Sequence, residues 1–450
     1  MRTFIKNGFV IDPKNKIYSE QNILIENGKV SALTTKKDIK ADAEIDAAGK
    51  YVTPGFIDMH MHEDPLNSEG EIDLCILDCM LHMGVTTAVG GNCGLNVCDP
   101  VTYLDTVDAE GAPVNMAMLA GHAFLRERTG AADKYAPISK DQLEILCCDT
   151  EAALEGGCLG VSYGIRYVPG ITKEELDGTA KLCKKENKLI AAHLRDDAEA
   201  IFDAADELIS VGLKYDLNTE VSHIGSMAGF GQMERFLRRM DNYRANGLHL
   251  HCDCYPYYAF STYLGTTTYD DGFLDRYHTD YSVVEICEGK YKGQRCTKEI
   301  FDELRRDAPM TLTVCHVMRP EDVDMALLHP GVMLASDGIL NSGQGHPRAA
   351  GAFPRFLNEY VNGGKLPLYD AVEKMTSMPA AKLGLAKKGG LSVGDDADIT
   401  IFDLHNIKDT ATFSSPITPP LGITDVLING RQAIADGRVI SNHFGKSVRK

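Results

Sequence analysis

Apolar and polar positions alternate with different periods in three parts of the chain. Residues 3–11 and 22–25 are apolar runs of strand length, and Asn27-Gly28 separates 22–25 from the run 30–33. An Asn-Gly pair between apolar runs predicts a tight hairpin, because both residues tolerate positive φ. The far end has the same texture. Ala397 to Phe402, Val426 to Ile428 and Ala433 to Ala435 are short strands punctuated by Gly430, Asp436 and Gly437. Between the two ends, apolar strands at 84–89, 160–161, 189–193, 218–223, 248–253, 311–316 and 331–336 alternate with helical patterns at 140–154, 173–186 and 197–211. Alternation on this scale predicts a parallel sheet, and roughly eight units predict a (β/α)8 TIM-like barrel. The expected α/β organisation is therefore a β-sandwich built from residues 1–52 and 389–450, with a barrel at 53–388. The polar, Tyr- and Gly-rich stretch 263–306 breaks the alternation and reads as a lid insertion.

Composition narrows the functional classes. The chain holds 64 acidic and 46 basic side chains, for a formal net charge of −18. That excess repels polyanions and argues against a nucleic-acid partner. No apolar run approaches the ~18 residues of a membrane span, and the charged first fifteen residues contain no signal-peptide core. The odd count of 13 cysteines, without a disulfide spacing, fits a reduced cytoplasmic protein.

The chemistry concentrates at strand ends. Pro54-Gly55-Phe56-Ile57-Asp58-Met59-His60-Met61-His62 is a strand ending in His-x-His, whose period of two sets both imidazoles on one face. Other strands end at Cys93, His193, His223 and Asp337. Each alone reads as a buried cysteine, a capped histidine or a turn aspartate. Together they supply zinc-type ligands at the mouth where barrel strands converge.

On these motifs, together with Gly91-Asn92-Cys93-Gly94, Gly160-Val161-Ser162-Tyr163-Gly164, Tyr167-x-Pro169-Gly170, His193-Leu194-Arg195, Asp253-x-Tyr255-Pro256-Tyr257, Ser336-Asp337-Gly338 and His346-Pro347-Arg348, the chain resembles the amidohydrolase superfamily and, within it, the D-aminoacylase (N-acyl-D-amino-acid deacylase) family. The matches keep the family's order over nearly the whole chain.

The resemblance implies a tight Zn2+ site at Cys93, His193 and His223, and a second, weaker metal position at His60, His62 and Asp337. It implies hydrolysis of the amide of an N-acyl-D-amino acid, or of a dipeptide with a C-terminal D-residue, by zinc-activated water with Asp337 as general acid/base. Arg348 matches the residue that pairs with the substrate carboxylate, a bidentate grip suited to guanidinium. Tyr167, Tyr255 and Ser261 match polar contacts to substrate, and Tyr167 also reads as a tyrosine packed beside a Pro-Gly turn. The implied partner is a small molecule bearing a carboxylate; homo-oligomer formation stays open.

One position departs from the family. Gly225 stands where many members carry a substrate-contacting lysine, so acyl and side-chain preference does not carry over. Two other readings remain. A hydantoinase- or dihydropyrimidinase-like enzyme cleaves cyclic amides, commonly with a carboxylated lysine between two metals, and no lysine occupies 189–193. A non-catalytic barrel would be expected to have lost ligands, whereas all six stand here. His249, His251, Cys252 and Cys254 imitate a metal motif, but alternation separates them onto two faces. Cys147-Cys148 reads as structural, and His122 and His316 are further histidines placed near strand ends.

Overall fold

The computed structural model describes residues 2–450. Its first five strands are β1 (Arg2–Asp12), β2 (Ile17–Glu26), β3 (Lys29–Thr34), β4 (Ala43–Asp46) and β5 (Tyr51–Pro54). The parallel series follows as β6 (Phe56–Asp58), β7 (Val85–Gly90), β8 (Asn115–Met118), β9 (Ala120–Gly121), β10 (Gly160–Gly164), β11 (Leu189–His193), β12 (Thr219–Val221) and β13 (Leu250–Cys254). Then come β14 (Phe260–Tyr263), β15 (Val284–Ile286), β16 (Leu312–Cys315), β17 (Val332–Leu334) and the short pair β18 (Leu340–Asn341) and β19 (Gln344–Gly345). The chain closes with β20 (Ile399–Phe402), β21 (Ile423–Ile428), β22 (Arg431–Ala435) and β23 (Arg438–Val439).

The expected hairpin forms: β2 and β3 pair antiparallel with Glu26 opposite Lys29, and Asn27 and Gly28 take φ of 52° and 79°. The two termini meet where β5 pairs with β20, Pro54 opposite Ile399. The expected sandwich appears as one continuous nine-stranded sheet in the order β23-β22-β21-β20-β5-β1-β2-β3, with β4 on β1. Its two terminal halves fuse along the β5–β20 ladder instead of facing each other as separate sheets. Ile5, Val10, Ile23, Ile25, Val52, Ile399, Ile401 and Leu427 pack on one side of it.

The parallel strands make two ladders, β6-β7-β8 and β9-β10-β11-β12-β13-β17. The expected eight-stranded ring is not a closed ladder. Its two gaps are crossed by isolated bonds, Leu159 N to Met118 O at 2.8 Å on one side, and Asp337 N to His60 O at 2.8 Å with His62 N to Gly338 O at 2.9 Å on the other. These strands are buried on both faces, which explains why they read as continuous apolar runs.

Helices Lys140–Glu155 and Lys173–Lys185 lie at the expected places, each started by a capping box (Ser139 with Gln142, Thr172 with Glu175). The third is Ile201–Tyr215. One strand is reassigned. The run 311–316 is not part of the parallel series: β16 sits between β14 and β15 in a three-stranded antiparallel sheet. Four buried residues in a row do not reveal which sheet they join. The excursion that reads as 263–306 thus extends from β14 to β16.

Candidate metal centre and substrate cavity

The ends of the parallel strands bring the ligands together. His60 and His62 follow β6, Cys93 sits in the turn Asn92–Gly94 after β7, His193 ends β11, His223 follows β12 and Asp337 follows β17. Cys93, His223 and Asp337 hold φ of 54°, 35° and 49°. Non-glycine residues rarely sit in this left-handed region, and three of them at one site show backbone strain concentrated where side chains are aimed. The Cys93 turn is locked on both flanks. A Cβ at Gly91 would lie 2.1 Å from Leu119 O, and one at Gly94 2.6 Å from Gly164 N. Ser162 Oγ donates to Gly91 O and accepts from Gly94 N at 3.0 Å.

Ligand atoms of His60, His62, Cys93 and Asp337 lie within 4.8 Å of one another, and so do those of Cys93, His193 and His223. Cys93 Sγ is therefore common to both groups, 3.4 Å from His60 Nε2 and 3.3 Å from His223 Nε2. Asp337 Oδ1 stands 3.4 Å from His60 Nε2 and 3.3 Å from His62 Nε2, while Oδ2 stands 3.0 Å from Arg348 Nη1.

Electrostatics favour ligand forms at Cys93, Asp337 and His193, whereas, against burial, Asp253 and Cys93 raise His60 well above the ordinary imidazole range and Asp337 and Cys93 raise His62 to about 9. Burial alone would raise the Cys93 thiol, but His60 and His223 outweigh it and hold the group well below the ordinary thiol range. Burial would likewise raise Asp337, and Arg348, His223 and His60 overcome it to keep the carboxylate ionised. His193 is lowered to about 4 by burial and then by His223, which leaves a neutral imidazole, the form that binds metal. His193 Nδ1 is buried without a hydrogen-bond partner. A thiolate, imidazoles and a carboxylate converging in this way fit Zn2+ or a similar divalent ion.

The second layer contains a residue to which the sequence reading gave no role. Asp253, on β13, lies 3.2 Å from His60 Nδ1 through Oδ2 and accepts His223 N at 2.8 Å through Oδ1. It fixes one imidazole and one backbone turn together, as carboxylates behind metal-binding histidines do. Its signal in the sequence was the Asp-x-Tyr at a strand end. Asp58 accepts His60 N and Ser336 N at 3.2 and 3.1 Å, and Ser226 Oγ lies 3.0 Å from His223 Nδ1.

Above the cluster opens a cavity of about 280 Å3. His62, His193, His223 and Asp337 form its floor, and Tyr167 and Ser261 line it. The Tyr167 ring lies 4.5 Å from that of His193, centroid to centroid. Ser261 Oγ donates to Thr313 O at 2.8 Å. Arg348 and Tyr255 do not line it. Arg348 is 1% exposed behind Asp337, its guanidinium 4.5 Å above the Tyr255 ring, and its Nε has no hydrogen-bond partner. The sequence reading missed most of the wall, including Met227 after β12 and Phe260, Tyr263, Tyr277 and Met310 of the excursion, because scattered apolar and aromatic residues carry no motif.

The other histidines stay apart. His122 is buried beside Tyr163 and 3.6 Å from Glu175. His316 pairs with Glu285 at 3.0 Å in the antiparallel excursion. His249, His251, Cys252 and Cys254 form no metal-binding group among the described residues.

A parallel α/β sheet whose strand ends present these ligands around one carboxylate defines a metal-dependent hydrolase. A model described as "Amidohydrolase family" matches residues 43–156 and 325–434. The N-acyl-D-glutamate deacylase of Alcaligenes xylosoxydans xylosoxydans is 32% identical over 95% of this chain and 92% of its own length. The D-aminoacylase of the same organism is 28% identical over 98% and 96%. The structure of N-acyl-D-glutamate deacylase from Bordetella bronchiseptica, complexed with zinc and a phosphonate inhibitor, superposes with a TM-score of 0.87 at 28% identity, covering 100% of this chain and 99% of that one. The chain belongs to the amidohydrolase superfamily and, within it, to the D-aminoacylase (N-acyl-D-amino-acid deacylase) family. The L-hydantoinase of Arthrobacter aurescens, at 18% identity, 100% and 99% coverage and a TM-score of 0.66, shares the fold alone.

Proposed function

We propose that the protein is a zinc-dependent deacylase of N-acyl-D-amino acids, or of dipeptides with a C-terminal D-residue. The observation that carries this reading is the pair of ligand groups sharing Cys93, with Asp337 between the histidines and Arg348. Cys93, His193 and His223 would hold the tight ion; His60, His62 and Asp337, with Cys93 in reach, would hold a weaker second one. When bound, the ion supplies Lewis acidity toward water and toward the amide carbonyl.

The chain's own residues supply the rest. Asp337, kept ionised by Arg348, accepts the proton of the attacking water on a carboxylate oxygen and returns it to the leaving amine nitrogen. Arg348, which the family resemblance pairs with the substrate carboxylate, would have to turn from behind Asp337 to reach it, and its Nε donor is unfilled. Tyr255 supports the guanidinium from beneath, a positioning role instead of direct substrate contact. Tyr167 donates its phenol toward the developing oxyanion, and Ser261 offers a hydroxyl at the wall.

In this reading the two parallel ladders belong to one (β/α)8 barrel at 53–388, joined at its gaps by the isolated bonds. Residues 1–52 and 389–450 form the accompanying β-domain, and 263–306 the lid. No helix among the described residues is long and apolar enough to cross a membrane. The thirteen cysteines are all unpaired, which supports a cytoplasmic, reducing setting. The partner is a small carboxylate-bearing substrate; homo-oligomer assembly is compatible with this reading.

Cyclic-amide hydrolysis is disfavoured because residues 189–193 contain no lysine and Cys93 occupies the position shared by both ligand groups. The test is metal analysis of the purified protein with a panel of N-acyl-D-, N-acyl-L- and cyclic amides. Zinc binding and selective turnover of the D-series support the reading; full activity in strong chelator, or faster turnover of L-isomers throughout, refutes it.

A further inference from the structure

Apolar side chains line the cavity from its enclosed part to the outside. Met227, Phe260 and Tyr277 are buried, Tyr263 and Ile339 are half-buried, and Leu95, Pro309 and Met310 are exposed. Hydroxyls on the same wall turn back onto the protein. Ser226 Oγ donates to His223 O and Thr266 Oγ1 to Tyr263 O, both at 2.9 Å, and Tyr277 Oη donates to Asp197 Oδ2 at 2.7 Å. Asp197 also lies 2.9 Å from Arg276 Nε, so its charge is matched within the protein. Lys134, half-buried, is the one lysine or arginine of the lining, and its ammonium lies 5.4 Å from the centroid of the exposed Tyr135 ring.

Met310 is 64% exposed and Leu95 37%, yet both are held in place. Leu95 N donates to Asn92 O at 3.0 Å, which continues the locked Cys93 turn. Gly265 N donates to Pro309 O at 2.7 Å and Leu264 N to Thr311 O at 3.0 Å, which ties the Pro309-Met310 turn to the end of β14. A Cβ at Gly265 would lie 2.6 Å from Pro309 Cβ, so the two segments are in close contact. Fixed apolar side chains exposed beside a cavity, in a chain of net charge −18, mark a surface that an apolar ligand covers. Amino-acid side chains stop within a few bonds of the α-carbon. The acyl group is the part of the substrate that can supply an unbranched chain running from the reacting carbonyl, past the buried wall, to the mouth.

We propose that the enzyme acts on N-acyl-D-amino acids whose acyl group is a medium-length unbranched aliphatic chain, laid against Met227, Phe260 and Tyr263 and ending at Leu95 and Met310. This rests on the deacylase reading and names the acyl class for it. The binding energy comes from apolar surface removed from water along the chain.

The test uses the full-length metal-loaded enzyme and its Met310→Ser and Met310→Leu variants. The substrates are N-acetyl-D-alanine, N-octanoyl-D-alanine and N-acetyl-D-2-aminodecanoate, which carries its long chain on the α-carbon instead. Full burial of a methylene is worth about fourfold and half burial about twofold. The longer acyl chain is therefore expected to raise kcat/KM about 50-fold over acetyl, mainly through KM. Met310→Ser is expected to reduce this octanoyl-to-acetyl ratio by about threefold or more, and Met310→Leu to keep it. A rise on the aminodecanoate in place of the octanoyl substrate assigns the wall to the D-side chain and overturns the inference. An octanoyl-to-acetyl ratio near one, or a rise that Met310→Ser leaves unchanged, overturns it too, while turnover of N-acetyl-D-alanine keeps the deacylase reading standing. If the wild type hydrolyses no N-acyl-D-amino acid, both fall.

Discussion

Replacing Asp337 with asparagine removes one negative charge and little else, since the amide keeps an oxygen of similar size. In the native site that charge faces His60 Nε2 at 3.4 Å, His62 Nε2 at 3.3 Å and Arg348 Nη1 at 3.0 Å. Arg348 is 1% exposed, so the change leaves a buried guanidinium without its counter-ion. Breaking such a pair from one side costs about 3–5 kcal/mol, and the retained oxygen places the expected loss of folding stability near the lower end, about 3 kcal/mol. Catalysis suffers separately. Loss of a positioned acid/base group lowers turnover by about 10²–10⁴-fold, equivalent to about 3–5 kcal/mol of barrier. The assay combines kcat and KM on an N-acetyl-D-amino acid, metal content by mass spectrometry and a denaturant titration. The expected outcome is a kcat at least about 100-fold lower, with the tight ion retained and a folded protein of reduced midpoint. A kcat within about tenfold of the wild type, with metal and fold intact, refutes the proton-transfer role. Loss of the tight ion refutes the division of ligands between the two positions.

Three further predictions follow from the geometry. Tyr167→Phe removes a hydroxyl and keeps the ring against His193, so kcat should fall by about 10²-fold with little change in KM or stability; an unchanged kcat reduces Tyr167 to packing. His122 is lowered to about 3, first by burial and then by Arg126, so it stays neutral in the fold. The unfolded chain, with a histidine pKa near 6.5, binds the extra proton as pH drops, and the stability lost between pH 7 and pH 5 through this group is about 2 kcal/mol. In His122→Asn the same pH drop should cost about 2 kcal/mol less by chemical denaturation, and an identical pH dependence would contradict the assignment. At Gly225 a Cβ would sit 2.9 Å from Cys254 Sγ and 3.0 Å from Met318 Cε, so Gly225→Lys should cost about 1–3 kcal/mol and lower the Tm instead of restoring a substrate contact.

Much of the site was legible because its chemistry lies in short local patterns. His-x-His after Pro54-Gly55, the Gly-flanked Cys93 and the Ser336-Asp337-Gly338 turn each combine a strand end with a ligand, and these four side chains converge with His193 and His223. Arg348 was legible as a residue type and a motif, but not as a group turned toward Asp337 and away from the cavity surface. Asp253 could be seen only as part of a motif, since its partners His60 and His223 are 193 and 30 residues away.

By itself the amino-acid sequence determined the alternation of strands and helices, the Asn27-Gly28 hairpin, the ligand types and the acidic balance, because periodicity, turn chemistry and charge are local properties of the chain. Tertiary structure alone decided the rest. It merged the terminal strands into one sheet, diverted β16 into an antiparallel excursion and made Cys93 common to two ligand groups. The physical reason is that a run of buried residues records that it is covered, but not by what. Which strand pairs with which, and which charges meet, is settled by long-range packing and hydrogen bonding that no short window of sequence contains.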